Sequence, residues 1–204
     1  MSGVTLTVRR QLTPSQQARR QRIVDAATTL AAEGGYEAVM MKDVAARAGA
    51  SLGTVYRYFS SKDHLLAVAL ESWGRVLSDR LRQRPPRGET AAARVAAVFR
   101  RMARGVAAQP ELGVALTRAL LSADPSAYEN RAGLTAMMSE WIELALGDSE
   151  IDDRAGVIAV LQHVSFSSMV ALANGQQSPA AVGRELERAA RLLLAQSGGA
   201  RRAT

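Results

Sequence analysis

The sequence predicts an all-α protein, and three observations carry that prediction. Apolar residues recur at helical spacing, as in Ile23, Ala26, Ala27, Leu30 and Ala31, which fall at i, i+3, i+4, i+7 and i+8. Alanine and leucine dominate, and no stretch alternates apolar and polar residues with period two for long. Helix punctuation also stands where helices need it: Pro110 and Pro179 at helix-opening positions, Gly147 and Gly175 just past helix ends.

In chain order, residues 1–14 are polar and unpatterned and read as a flexible basic arm carrying Arg9 and Arg10. A helix then begins at Ser15 and stops at Gly34 and Gly35. Two short helices, 41–48 and 52–59, flank a turn at 49–51. Ser60 or Ser61 caps a long helix that runs until Pro85, Pro86 and Gly88 break it. Five more helices are expected, over 90–109, 110–123, 128–146, 152–173 and 179–196, with residues 198–204 as a disordered tail. The predicted domains are therefore 15–62 and 63–197, the long helix linking a small N-terminal unit to a larger helical bundle.

Composition narrows what such a protein does. With 204 residues and 48% apolar side chains it buries a sizeable core. The formal net charge of +7 and a pI of about 10.7 favour an anionic partner, either nucleic acid or a lipid surface. The excess is local: residues 1–62 carry nine Lys or Arg against four acids, the rest 17 against 15. The absence of cysteine suits a reducing compartment. The first twenty residues lack the apolar core of a signal peptide, and no later run approaches the roughly 18 uncharged apolar residues of a membrane span, so a soluble, cytoplasmic protein without a membrane partner is expected.

The segment "MMKDVAARAGASLGTVYRYF" carries the chemistry. Two short helices crossing at a steep angle need a small residue at the crossing, a glycine at the turn and inward apolar residues. Ala45, Gly49 and the set Val44, Ala48, Val55 and Tyr58 meet those needs, leaving Leu52, Gly53, Thr54, Tyr56 and Arg57 facing out. That is a helix-turn-helix, whose second helix enters the DNA major groove. Gly53 costs roughly 1 kcal/mol of helix propensity but permits close approach. Thr54 offers a hydroxyl and a methyl, Tyr56 a phenol for a phosphate, and Arg57 a fork that fits guanine O6 and N7. Lys62 adds charge at the start of the next helix. The alternative is a plain helical hairpin whose tyrosines pack by their rings.

The N-terminal 70 or so residues, with "EGGYEA" followed by "KDVAARAGASLGTVYRYFSSKDHLL", resemble the DNA-binding domain of the TetR family of transcriptional regulators, most densely over 34–66. Carried over position by position, the resemblance implies DNA contacts from Lys42, Ser51, Leu52, Gly53, Thr54, Tyr56, Arg57 and Lys62, and core roles for Val44, Ala45, Tyr58 and Phe59. One departure is the run "VMM" at 39–41, where the family usually places a capping Thr or Ser. For the larger domain the resemblance implies a ligand cavity and a homodimer through the last two helices, reading a pseudo-palindromic operator.

The sequence supplies candidates for both. Val157, Val160, Leu161, Val164, Ser168 and Leu172 on one helix, and Val182, Leu186, Ala189 and Leu193 on the next, form apolar faces, with Gly156, Ser165 and Ala171 allowing close approach. The alternative is that these faces close the monomer's own core. Pocket candidates are Phe99, Met102, Leu120, Met137, Met138, Trp141, Phe166 and Met169, adaptable side chains that suit a small hydrophobic effector. His163 is expected inside, as a satisfied core histidine or a polar anchor for a ligand. The strings "GGYEAVMMKDVA" and "IAVLQHVSFSSMVALANG" are similar to the KstR-like regulators of steroid breakdown, which implies a steroid or acyl-CoA thioester as effector.

The expectation is a ligand-responsive repressor without a cofactor. The alternatives are an activator, a nucleoid-type binder without effector, or an all-α enzyme. Against the last, the two histidines lie far apart, and no Glu-x-x-His pair, metal-ligand spacing or phosphate-cradling glycine loop is present. A membrane-surface protein would need a basic amphipathic helix with exposed aromatics, whereas the arginines here divide between an arm and one helical face.

Overall fold

The computed structural model describes residues 12–197, so residues 1–11 of the arm expected over 1–14, and the tail over 198–204, lie outside the described residues. These residues form nine helices and no strand. The first, α1, spans Pro14–Ala38 and starts earlier than Ser15, because Thr13 and Gln16 form a reciprocal capping box with Pro14 in the first turn. Its expected stop is a kink: Gly35 takes φ 70°, and a short helical stretch continues to Ala38.

Helix α2 (Met41–Arg47) begins at Met40 without a side-chain cap, as the missing hydroxyl foretold. Gly49 turns the chain at φ 61°, a conformation that costs glycine nothing, and α3 (Leu52–Tyr58) starts on the Ser51 hydroxyl. Ser61 caps the long α4 (Lys62–Gln83) through the amide of His64. Then follow α5 (Ala91–Ala107), α6 (Pro110–Leu120), α7 (Pro125–Leu146), α8 (Arg154–Ala173) and α9 (Pro179–Ser197). Helix α7 opens three residues before the expected start because Pro125 occupies its first turn and Asp124 caps it.

Two apolar cores result, and α4 threads both. The first gathers Ile23, Val24 and Ala27 of α1, Val44 of α2, Val55 of α3, Phe59, and Leu65 and Leu66 of α4. It is closed by Leu112, Ala115, Leu116 and Ala119 of α6, which packs along α1. The second core holds Leu77 and Leu81 of α4 with Phe99 of α5, Ile142 of α7, Leu161 of α8 and Leu186 of α9. The boundary between cores thus runs through α4, and α6 belongs to the head as much as to the bundle.

Helix α8 corrects one expectation: by length and composition it is apolar enough to cross a membrane. Its apolarity serves two sides. Val157, Leu161, Ser165, Ser168 and Leu172 face the protein, where α9, α7, α5 and α6 pack, while Val160 and Phe166 remain 44% and 40% exposed.

Candidate nucleic-acid interface and effector cavity

Helix α3 buries one side chain, Val55, so most of its surface is available. Leu52, Gly53, Tyr56 and Arg57 are exposed, Tyr56 by 51%, with Thr54 half-buried between them. The Ser51 hydroxyl accepts from the Thr54 amide and shares a 2.9 Å hydrogen bond with the Thr54 hydroxyl, which holds the helix start rigid. Lys42 is exposed on α2. The Arg57 guanidinium lies 5.5 Å from the Tyr58 ring centroid, within cation–π range. The Tyr58 ring packs on the core while its hydroxyl is buried without a hydrogen-bond partner.

Lys62 departs from its expected outward position. Its ammonium donates to the Tyr36 carbonyl at 3.1 Å, lies 3.9 Å from the Tyr36 ring centroid and 3.9 Å from Glu37. Arg118 of α6 stands over the same ring at 3.9 Å and pairs with Glu37 at 2.7 Å, so Tyr36 is gripped by two cations. The Tyr36 hydroxyl donates to Asp63 at 2.5 Å, and the Ser122 hydroxyl donates to the other Asp63 oxygen at 2.5 Å. Burial, and then the hydrogen bond to Asp63, push the Tyr36 phenol from 10.0 up to about 12, keeping it a donor. Nearby, hydrogen bonds from Ser61 and the Ser126 amide hold the Asp124 carboxyl below the usual carboxylate range. This network ties the start of α4 to both α1 and α6, and the sequence reading missed it because its members are ordinary surface types scattered from 36 to 124.

Between α4, α5, α6, α7 and α8 lies a cavity open to solvent, about 780 Å³ when the solvent at its mouth is counted. Its walls are apolar except for Gln109 and Thr117, since the Trp141 indole N–H is already bonded to Ser78 at 2.7 Å. Seven of the expected residues line it: Met102, Leu120, Met137, Met138, Trp141, Phe166 and Met169.

Two expected residues do not. Phe99 is fully buried in the second core and reaches no part of the cavity. His163 is exposed, its ring Nδ1 2.7 Å from the Ala159 carbonyl, because it lies two residues, about 200° of helix, from the inward positions Leu161 and Ser165. The reading also missed Trp73 and Gly74 of α4, Gly105 and Val106 of α5, and Gly113 and Leu116 of α6. A signal was present: glycines inside apolar helices are costly and mark close packing.

The apolar faces expected to meet a second copy are mostly consumed within the protomer. Val157, Leu161, Ser168 and Leu172 of α8 and Val182 and Leu186 of α9 are buried. Gly156 makes room for the capping carboxylate of Asp153, not for a neighbouring helix, since a Cβ there would fall 2.1 Å from that group. Ser165 is buried and bonds the Gln162 carbonyl.

Comparison with known proteins agrees with this anatomy. Residues 23–69 match the family described as bacterial regulatory proteins, tetR family, and residues 88–193 match the tetracyclin repressor-like C-terminal domain. The chain is similar to the HTH-type transcriptional repressor KstR of Rhodococcus jostii, 37% identical over 88% of this chain and 84% of that protein. It is similar also to KstR of Mycobacterium tuberculosis, 35% identical over 88% and 82%. Among solved structures, a TetR transcriptional regulator from Rhodococcus sp. RHA1 superposes with a TM-score of 0.78 at 26% identity, covering 88% of this chain and 97% of that one. Thermus thermophilus FadR, solved in complex with lauroyl-CoA, shares the fold with a TM-score of 0.66 at 24% identity over 86% and 93%. An exposed recognition helix on a small head, joined by α4 to a cavity-bearing bundle, together with matches to both family domains, makes this chain a member of the TetR family, a DNA-binding transcriptional regulator.

Proposed function

We propose that the chain is a homodimeric repressor whose operator contacts come from α3 and its flanks, and which a small hydrophobic effector, a steroid or acyl-CoA thioester, releases from DNA. The observation that carries the effector half is the apolar cavity with only Gln109 and Thr117 as polar lining, matched to a ligand that is largely hydrocarbon at the buried end. The contact set is Lys42, Ser51, Leu52, Gly53, Thr54, Tyr56 and Arg57; Lys62 contributes to it after leaving Tyr36. The two copies meet through α8 and α9, supported by the exposed apolar side chains Val160, Phe166 and, at 63%, Leu192.

Release follows from the cavity's position. Leu112, Leu116 and Leu120 of α6 line it, while Arg118 and Ser122 of the same segment hold Tyr36 and Asp63 at the head. An effector that favours a displaced α6 favours a displaced head, and shifts the population toward a form that spaces the two recognition helices wrongly.

The test is a footprint on genomic DNA followed by fluorescence anisotropy on the bound site, titrated with lauroyl-CoA and with lithocholoyl-CoA. A palindromic footprint and thioester-dependent release are expected. Release by neither thioester removes the effector half, and protection of a single half-site removes the dimer.

A further inference from the structure

Three glycines stand inside helices on the cavity wall, where glycine is the costliest residue short of proline. Each receives a side chain from a neighbouring helix that also lines the cavity. A Cβ on Gly74 would fall 2.5 Å from Met137 Sδ, one on Gly113 2.6 Å from Val106 Cγ1, and one on Gly105 2.7 Å from Trp73 Cζ2.

The three neighbours differ in how easily they give way. Met137 is an unbranched thioether that swings aside, and Val106 presents one methyl. The Trp73 indole is a rigid bicycle with two side-chain torsions, and its tip lies against α5 although its backbone belongs to α4. It therefore bridges these two helices in the cavity wall, in contact with Gly105. Carbon atoms settle at about 3.5–4.0 Å, so a methyl at 2.7 Å requires the ring, itself part of the cavity wall, to move by about 1 Å away from Gly105.

We infer that Gly105 sets the breadth of ligand the cavity accepts: its missing side chain holds the Trp73 indole back against α5, leaving room for a fused-ring apolar group rather than only a thin acyl chain. This rests on the cavity being the effector site. It assigns specificity to a residue pair, Gly105 and Trp73, that does nothing for DNA contact.

Trp73 and Trp141 are the only tryptophans of the chain, and both line the cavity, so intrinsic fluorescence reports binding directly. The probes are lauroyl-CoA and lithocholoyl-CoA, which share a headgroup and differ in the breadth of the buried part. The unmodified protein is expected to bind both. Gly105→Ala is expected to weaken lithocholoyl-CoA at least tenfold and lauroyl-CoA by no more than about twofold, with operator affinity kept as the check on folding. Adding Trp73→Leu to that variant restores the steroid thioester, read through Trp141. Equal weakening of both probes, no change in either, or no rescue by the second substitution overturns the inference and leaves the cavity as effector site. If the unmodified protein binds neither thioester while still binding operator, that cavity assignment falls, and the inference with it.

Discussion

The head and the bundle solve opposite problems with the same element. In the head, α3 packs Val55 and the Tyr58 ring inward and leaves Leu52, Gly53, Tyr56 and Arg57 exposed, so its outward surface comes from one stretch of seven consecutive residues, Leu52–Tyr58. In the bundle, the cavity is assembled from residues between Leu70 and Met169 on five helices, and no single helix defines it. A surface that reads a partner is encoded locally, whereas an internal space is encoded by what neighbouring helices leave empty.

A matched pair of substitutions puts the largest strain on this comparison. Phe59 and Phe99 are both fully buried, one in each core. Replacing either by alanine is expected to cost about 3–5 kcal/mol in denaturant unfolding. Under conditions where both variants stay folded, Phe59→Ala lowers operator affinity at least tenfold and Phe99→Ala leaves it nearly unchanged. Equal losses of affinity would break the division between the two regions.

Next in size, Arg57→Ala is expected to weaken operator binding by about 1–3 kcal/mol and to flatten base preference at one position. A binding-site selection that returns an unchanged sequence profile removes Arg57 from base readout. Smaller again is Tyr58→Phe: the hydroxyl it deletes is buried without a partner, so the head is expected to gain about 1 kcal/mol of stability. A loss in thermal unfolding would show that the hydroxyl is satisfied in solution.

The smallest effect concerns the junction between the regions. Tyr36 holds its proton to about pH 12 when folded and to 10.0 when unfolded, so its contribution is complete below pH 10 and fades as pH rises toward 12. Tyr36→Phe is expected to flatten the alkaline limb of a plot of melting temperature against pH. An unchanged alkaline slope would mean that Asp63 does not hold the phenol as the geometry indicates.

How far the site was legible follows the same division. Gly49, Val55 and the outward face of α3 could be read from spacing, because a tight turn and a short amphipathic helix are decided by neighbours in sequence. The Met, Trp141, Leu120 and Phe166 side chains of the cavity were picked out by residue type, and the same criterion included Phe99, which belongs to solid core. Nothing in residue type says which side of a buried helix faces a space. His163 failed for a related reason: α8 is apolar on two sides, so its period does not reveal which side is inward.

Sequence alone determined that the chain is helical, where the turn of the head lies, which α3 residues face outward, and where the charge excess sits, since each depends on local sterics, periodicity or a count. Tertiary structure decided that α6 closes the head's core, that Lys62 folds back on Tyr36, that α8 and α9 turn most of their apolar residues inward, and that Gly105 yields its place to Trp73. These depend on distances between residues far apart in the chain, which packing sets and local pattern does not carry.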